Sequence, residues 1–275
     1  MPPPAPPHSS RIDSIFADAR DQGRRLLMPF VCAGHPHPDA LPTLLQTLQH
    51  AGAAIAEIGF PFSDPIADGP TIAAAMHNAL EGGITPHTIF DQVRAARDSL
   101  DLGLVAMVSA SIVYRAGGPE GFAKDAAEAG FDGVIYPDIS LEEAETFLKP
   151  AQEQGLTTTL LISPNATPER AEALAKASTG FVYLLARTGI TGERAEAPDV
   201  ARRVKRLREW TDLPIACGFG ISTPDHVRAV VKHADAAIVG SALIRRLDQA
   251  TNNAEDPIEA AGAFVRELSA ATGDT

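Results

Sequence analysis

The residues best able to do chemistry stand together in the stretch AAIAEIGFPFSDPIADGPTI, which begins at Ala53. Glu57 lies inside an apolar run, and a Pro/Gly-rich segment carrying Ser63, Asp64 and Asp68 follows it. A carboxyl group in apolar surroundings is desolvated unless it finds a partner, and desolvation favours its protonated form. Such a group is suited to giving and taking a proton near neutral pH. Glu57 is therefore the candidate general acid–base group, and Asp68 the candidate second carboxylate. Both have plainer readings: Glu57 as half of a structural ion pair, and Asp68 as the turn-former of ADGP.

Later in the chain, FVYLLARTGITGER places Tyr183 in an apolar run, and residues 188–192 form a Gly-containing loop. Tyr183 serves equally well as a core aromatic. The stretches CGFGIST and VGSAL each end an apolar run in a Gly-containing turn before a helix. Gly218, Gly220, Gly240 and Ser241 would let backbone N–H groups approach a phosphate closely. The five lysines, at positions 124, 149, 176, 205 and 232, all fall in predicted helices or at their ends, which disfavours a Schiff-base mechanism. A metal held by His35, His37, Glu57 and Asp138 is a further reading, against which stands the ordinary solvation of histidines in a Pro-rich loop.

The elements that must position these residues are short apolar runs alternating with Ala- and Leu-rich helical stretches. Eight strands are predicted, at 27–33, 54–58, 104–108, 133–137, 158–163, 181–186, 214–217 and 236–239. Near-continuous apolar runs are the pattern of parallel strands buried on both faces. Helix starts are signalled by Asp39, by Ser140 ahead of Glu142 and Glu143, and by Thr167-Pro168 and Thr223-Pro224. Helices are also predicted at about 12–22, before the first strand, and at about 257–271, at the end of the chain. Eight strand–helix pairs without a linker predict an α/β fold: a single (β/α)8 TIM barrel with an extra N-terminal helix, over residues 11–275. An open doubly wound sheet is the alternative, and the first strand lacks the glycine fingerprint of a dinucleotide site. In a barrel the chemistry gathers where strands end, and phosphate sites recur after the seventh and eighth strands.

Composition narrows the function classes. The 275 residues are 45% hydrophobic and 5% aromatic, which suits a lumen filled by aliphatic layers. A formal net charge of −12 disfavours nucleic acid and anionic membranes as partners. No apolar run approaches the ~18 residues of a membrane span. Residues 1–10, MPPPAPPHSS, lack the features of a secretory signal and are expected to form an extended, disordered tail. Cys32 and Cys217 both fall in apolar runs and are expected to be buried free thiols of a cytoplasmic protein.

Taken in order, EIGFPFSDPIADGPTI, FVYLLARTGITG, GFGIS and VGSA resemble the tryptophan synthase alpha subunit family, over essentially residues 12–270. The resemblance implies a lyase that cleaves indole-3-glycerol phosphate into indole and glyceraldehyde 3-phosphate. It implies Glu57 as the acid–base catalyst and Asp68 as the carboxylate facing the indole N–H. By the same resemblance Phe30 and Tyr183 line the substrate pocket, and Gly192, Phe219, Gly220, Gly240 and Ser241 belong to the substrate- and phosphate-binding loops. Asp64 and Thr191 match loop residues tied to closure and to coupling with a beta subunit, Thr191 also standing in the substrate site. The beta subunit carries pyridoxal phosphate; the resemblance implies no metal and no cofactor for this chain.

The chain departs from the family's usual pattern at Ser109 and Ser111, where Tyr and Asn are usual, and at Ala73, Ser140 and His35. These changes enlarge or polarise the indole end of the pocket and leave the carboxylates and phosphate loops intact. They keep open an alpha subunit working with a beta partner, a stand-alone indole producer, a non-catalytic activator, and a lyase for a related phosphorylated substrate.

Overall fold

The aliphatic runs become short parallel strands because their two faces are covered on different sides, one by the lumen and one by helices. A computed structural model describes residues 10–64, 69–186, 200–218 and 220–273. The strands are β1 (Leu26–Cys32), β2 (Ile55–Gly59), β3 (Gly103–Met107), β4 (Gly133–Ile135), β5 (Thr157–Thr159), β6 (Leu161–Ile162), β7 (Val182–Leu185), β8 (Ile215–Gly218) and β9 (Ala236–Val239). They are ordered β5-β4-β3-β2-β1-β9-β8-β7-β6, and every paired neighbour is parallel. Leu160 alone separates β5 from β6, so these are two parts of one stave and the ring closes through the chain itself. The eight predicted strands therefore correspond to the eight staves of a (β/α)8 barrel, the fifth of them broken.

The break is held by hydroxyl groups. Leu160 N donates to Ser178 Oγ at 3.1 Å, Thr158 N donates to Thr179 Oγ1 at 2.8 Å, and Thr159 Oγ1 donates to Phe181 O at 3.2 Å. Side-chain oxygens here satisfy backbone groups that a regular ladder would otherwise pair.

Alternation along the strands divides the core in two. Leu26, Met28, Ile55, Val105, Ile135, Tyr183, Ala216 and Ile238 meet inside the barrel. Residues of opposite parity, such as Val31, Ile58 and Val134, pack outward against the helices. The extra N-terminal helix, α1 (Arg11–Asp21), joins the inner cluster through buried Ile12 and Phe16. Phe16 lies 5.8 Å from Phe181, centroid to centroid, and a Cβ on Gly103, the first residue of β3, would meet Ile12 Cδ1 at 2.5 Å. The helix thus plugs the floor of the barrel, where the strands begin.

Two aspartates brace that floor in the same way. Each directly precedes a strand and accepts from an amide at the start of the adjacent one: Asp132 Oδ2 from Leu104 N at 2.8 Å, and Asp235 Oδ2 from Ile215 N at 2.7 Å. Arg97 and Arg11 pair with Asp132, and Arg208 and Arg25 with Asp235. Paired charge at this face serves stability rather than chemistry.

Outer helices begin as their sequences direct. Thr85, Thr167 and Thr223 cap α4 (Pro86–Arg97), α8 (Pro168–Ala177) and α10 (Pro224–Val231), with proline at the first helical position. Asp256 caps α12 (Pro257–Ala270), while α6 (Gly118–Ala129) and α11 (Ser241–Asn252) follow the third and eighth staves. Two start signals are displaced. Asp39 does not cap α2 (Leu41–His50), which begins after Ala40 without a side-chain cap. Ser140 accepts from Glu143 N at 3.3 Å, but this closes a turn, and α7 (Ala144–Glu153) follows it. Ser140 thus organises the approach to its helix without capping it, whereas the cap position of α2 falls one residue beyond Asp39.

Replacing Phe16 by Ala should lower unfolding free energy by about 3–5 kcal/mol, because it deletes a buried ring packed on Phe181 and leaves a cavity in the floor. Urea unfolding of the variant checks this; a loss under about 1 kcal/mol would show that the plug is dispensable.

Candidate active site

The site is built at the end where the strands finish. Glu57 is the middle residue of β2, level with Phe30 on β1 and Val105 on β3. It shares the inward parity of Ile55, so its side chain enters the lumen. It is 0% exposed, and neither carboxyl oxygen has a hydrogen-bond partner among the described residues. Burial alone pushes its pKa up to about 8. The carboxyl is thus protonated at neutral pH and becomes a base after giving up its proton.

Two aromatic side chains stand near this level. Phe30 lies between Gly59 at the end of β2 and Gly240 at the end of β9. Tyr183, buried at 3% exposure, is level with Leu161 on β6 and Ala216 on β8. A Cβ on Gly218 would fall 2.6 Å from the Tyr183 hydroxyl, so glycine at the end of β8 gives the phenol its space. This end of the lumen is thereby shaped as much by absent side chains as by present ones.

Gly240 also precedes α11, and no side chain caps that helix among the described residues. The first-turn amides of an uncapped helix carry partial positive charge and favour an anion. Ser241 is its first residue, and half-buried Gly220 follows β8 nearby in the ring order. Because Phe30 touches the surroundings of both Gly59 and Gly240, the uncapped helix start and the strand that carries the buried acid lie one aromatic side chain apart.

The structure brings together Phe30, Glu57, Tyr183, Gly220, Gly240 and Ser241 at one end of the barrel. Asp64 is exposed, in the segment after β2, where it accepts a 2.7 Å hydrogen bond from Ser63 Oγ. Asp68, Thr191, Gly192 and Phe219 lie outside the described residues. His35 and Asp138 are engaged elsewhere than with Glu57. His35 Nε2 is 3.2 Å from Asp248 Oδ1 of α11, and Asp138 accepts from Ala110 N at the start of α5 (Ala110–Arg115). Among the described residues no three His, Cys, Asp or Glu side chains are placed to hold a metal. All five lysines are exposed, on helices or at a helix end.

Sequence reasoning noted Ser109 and Ser111 but not their pairing. Ser109 continues the inward parity of Val105 and Met107 beyond β3, is largely buried, and lies hydroxyl to hydroxyl with Ser111 at 3.0 Å. It also missed Gly59, whose only signal was its place two residues after Glu57 on the same strand face. Cys32 and Cys217 are free and buried, with burial pushing the Cys217 thiol up to about 12. No helix among the described residues is long and apolar enough to cross a membrane.

The buried acid makes stability depend on pH. A glutamate in the unfolded chain ionises near 4.5, whereas Glu57 in the barrel ionises near 8. Between those values the unfolded chain has released a proton that the folded one keeps. Stability therefore falls by ~1.4 kcal/mol per pH unit across that window, is unaffected below it and levels off above it. Glu57→Gln should lack this term, so its stability relative to the parent should rise by on the order of 3 kcal/mol from pH 5 to pH 8. Denaturant unfolding of both at each pH measures it; a constant difference would mean that Glu57 is ionised in the folded protein.

The family model described as Tryptophan synthase alpha chain matches residues 16–273. Among curated relatives, a tryptophan synthase alpha chain from Acidiphilium cryptum is 44% identical over 242 residues, covering 86% of this chain and 87% of its own. Another, from Solibacter usitatus, is 40% identical over 260 residues, covering 94% and 97%. The crystal structure of tryptophan synthase subunit alpha from Legionella pneumophila superposes with a TM-score of 0.90 at 30% identity, covering 98% of this chain and 100% of that one. A Mycobacterium tuberculosis tryptophan synthase structure gives 0.87 at 33% identity, covering 96% and 99%.

Proposed function

Since the chain belongs to the tryptophan synthase alpha chain family, we propose that it is a lyase cleaving indole-3-glycerol phosphate to indole and glyceraldehyde 3-phosphate. The observation that carries this reading is Glu57: an acid kept protonated by burial, inside a barrel whose mouth holds an uncapped helix start for a phosphate.

The chemistry balances around that one group. Glu57 gives its proton to indole C3, and positive charge develops at N1. The carboxylate left behind takes the proton of the side-chain hydroxyl. The O–H electrons form the aldehyde, the bond between C3 and the side chain breaks, and its electrons restore the ring. Glu57 ends protonated, so the cycle consumes no proton. Asp68 faces the indole N–H and stabilises the charge at N1.

Phe30, Tyr183 and Phe219 hold the ring, while Gly192, Gly220, Gly240 and Ser241 bring backbone N–H groups to the phosphate. Thr191 belongs to the substrate site and, with Asp64, couples it to a beta subunit that takes up the indole. No cofactor enters the steps assigned to this chain. A cytoplasmic setting goes with the two free buried thiols. The buried, protonated Glu57 favours a catalyst over a non-catalytic activator.

The isolated protein should release indole from indole-3-glycerol phosphate, and Glu57→Gln should lower that rate by about 10²–10⁴-fold. A colorimetric indole assay checks both, and a variant of near-normal rate would remove Glu57 from the mechanism. Addition of a beta subunit should raise turnover; an unchanged rate would argue for an enzyme that works alone.

A further inference from the structure

Positions two residues apart on a strand face are separated by ~6.6 Å, so Gly59 is the next inward position above Glu57 toward the mouth. It has no side chain of its own, and Phe30 fills the place. A Cβ on Gly59 would lie 2.5 Å from Phe30 Cζ and 2.6 Å from Cε2, so the ring can lie there only over a glycine. Phe30 starts level with Glu57 on the adjacent strand, and its ring leans up and across onto β2. The carboxyl beneath is fully buried, with no hydrogen-bond partner among the described residues.

We propose that Phe30 is a retractable roof: seated on Gly59 it keeps water from Glu57 in the resting protein, and the entering indole ring takes its place. This rests on the reading of Glu57 as the acid–base group. That reading requires the carboxyl to touch a substrate carbon, and a substrate arriving from the mouth meets the Phe30 ring above it. Exchange of one aromatic surface for another keeps the carboxyl dry while the proton moves. Gly240 flanks the ring on the β9 side, where an added Cβ would come within 3.6 Å of Phe30 Cβ, so its absence leaves a methyl-sized space beside the ring. Burial is the sole cause of the upward shift in the Glu57 pKa, with no charged neighbour contributing. Of the neighbouring titratable groups among the described residues, the Tyr183 phenol on β7 belongs to the inner cluster, whereas the Cys32 thiol, level with Gly59 on β1, packs with the outer one.

The test reads Glu57 directly, by carboxyl-carbon NMR titration of the ligand-free protein with Glu57→Gln to assign the signal. Alongside it, kcat/KM for indole release is followed against pH. Phe30→Ala should lower the Glu57 midpoint by about one pH unit or more, and the alkaline limb of the rate profile should move with it. Gly59→Ala, which pushes an intact ring off its seat, should shift both in the same direction. Phe30→Leu, which keeps an apolar cover, should move the midpoint by no more than a few tenths of a unit. An unchanged midpoint in Phe30→Ala and Gly59→Ala overturns the roof, and a raised KM at that unchanged midpoint would leave Phe30 as a pocket wall only. Should Phe30→Ala not fold, the midpoint of Gly59→Ala decides. Failure of the Glu57 assignment looks different: the midpoint moves, but the rate profile does not follow it.

Discussion

The dryness of the barrel lumen is the constraint on which the rest depends. A carboxyl group without a partner is tolerated inside a protein only when its surroundings hold it neutral. Here those surroundings are aliphatic side chains from all sides of a closed ring, with α1 stopping the floor. Were the floor open, water would enter from below, and Glu57 would ionise as an ordinary surface glutamate does. The aliphatic composition, the closure of the ring and the plug are therefore chemical requirements as well as structural ones.

The two ends of the barrel divide the work. At the floor, charge is paired and spent on architecture: Asp132 and Asp235 each tie a neighbouring strand's amide to arginines. At the mouth stand the two exceptions, a buried acid with no hydrogen-bond partner among the described residues and a helix start with no side-chain cap. The same fold uses satisfied polar groups where it must be rigid and unsatisfied ones where a ligand will complete them.

Much of this was legible in the sequence. The alternation of apolar runs and helical stretches revealed the staves to within one or two residues at most ends, and Glu57 stood out because a charged residue interrupted an apolar strand. The Thr-Pro starts at Thr167 and Thr223 were equally direct, since capping depends on only a few adjacent residues. What stayed hidden was contact between distant segments. The broken fifth stave depends on hydroxyls of Ser178 and Thr179, some twenty residues further on. The seat of Phe30 on Gly59 depends on the register of two strands, and a glycine shows in sequence only that a side chain is missing. Asp39 misled because a capping residue was present while the helix began after Ala40.

The broken stave also governs how the molecule breathes. Strand ladders open cooperatively because each backbone bond is flanked by others, whereas the bonds at Leu160 run to side-chain oxygens that can rotate away one at a time. Amide hydrogens there should be the first in the ring to exchange with solvent. The break lies three staves from the one that carries Glu57, so a transient gap between β5 and β7 can open while the register of β1, β2 and β3 stays closed. The ring gathers its looseness on the side away from its buried proton.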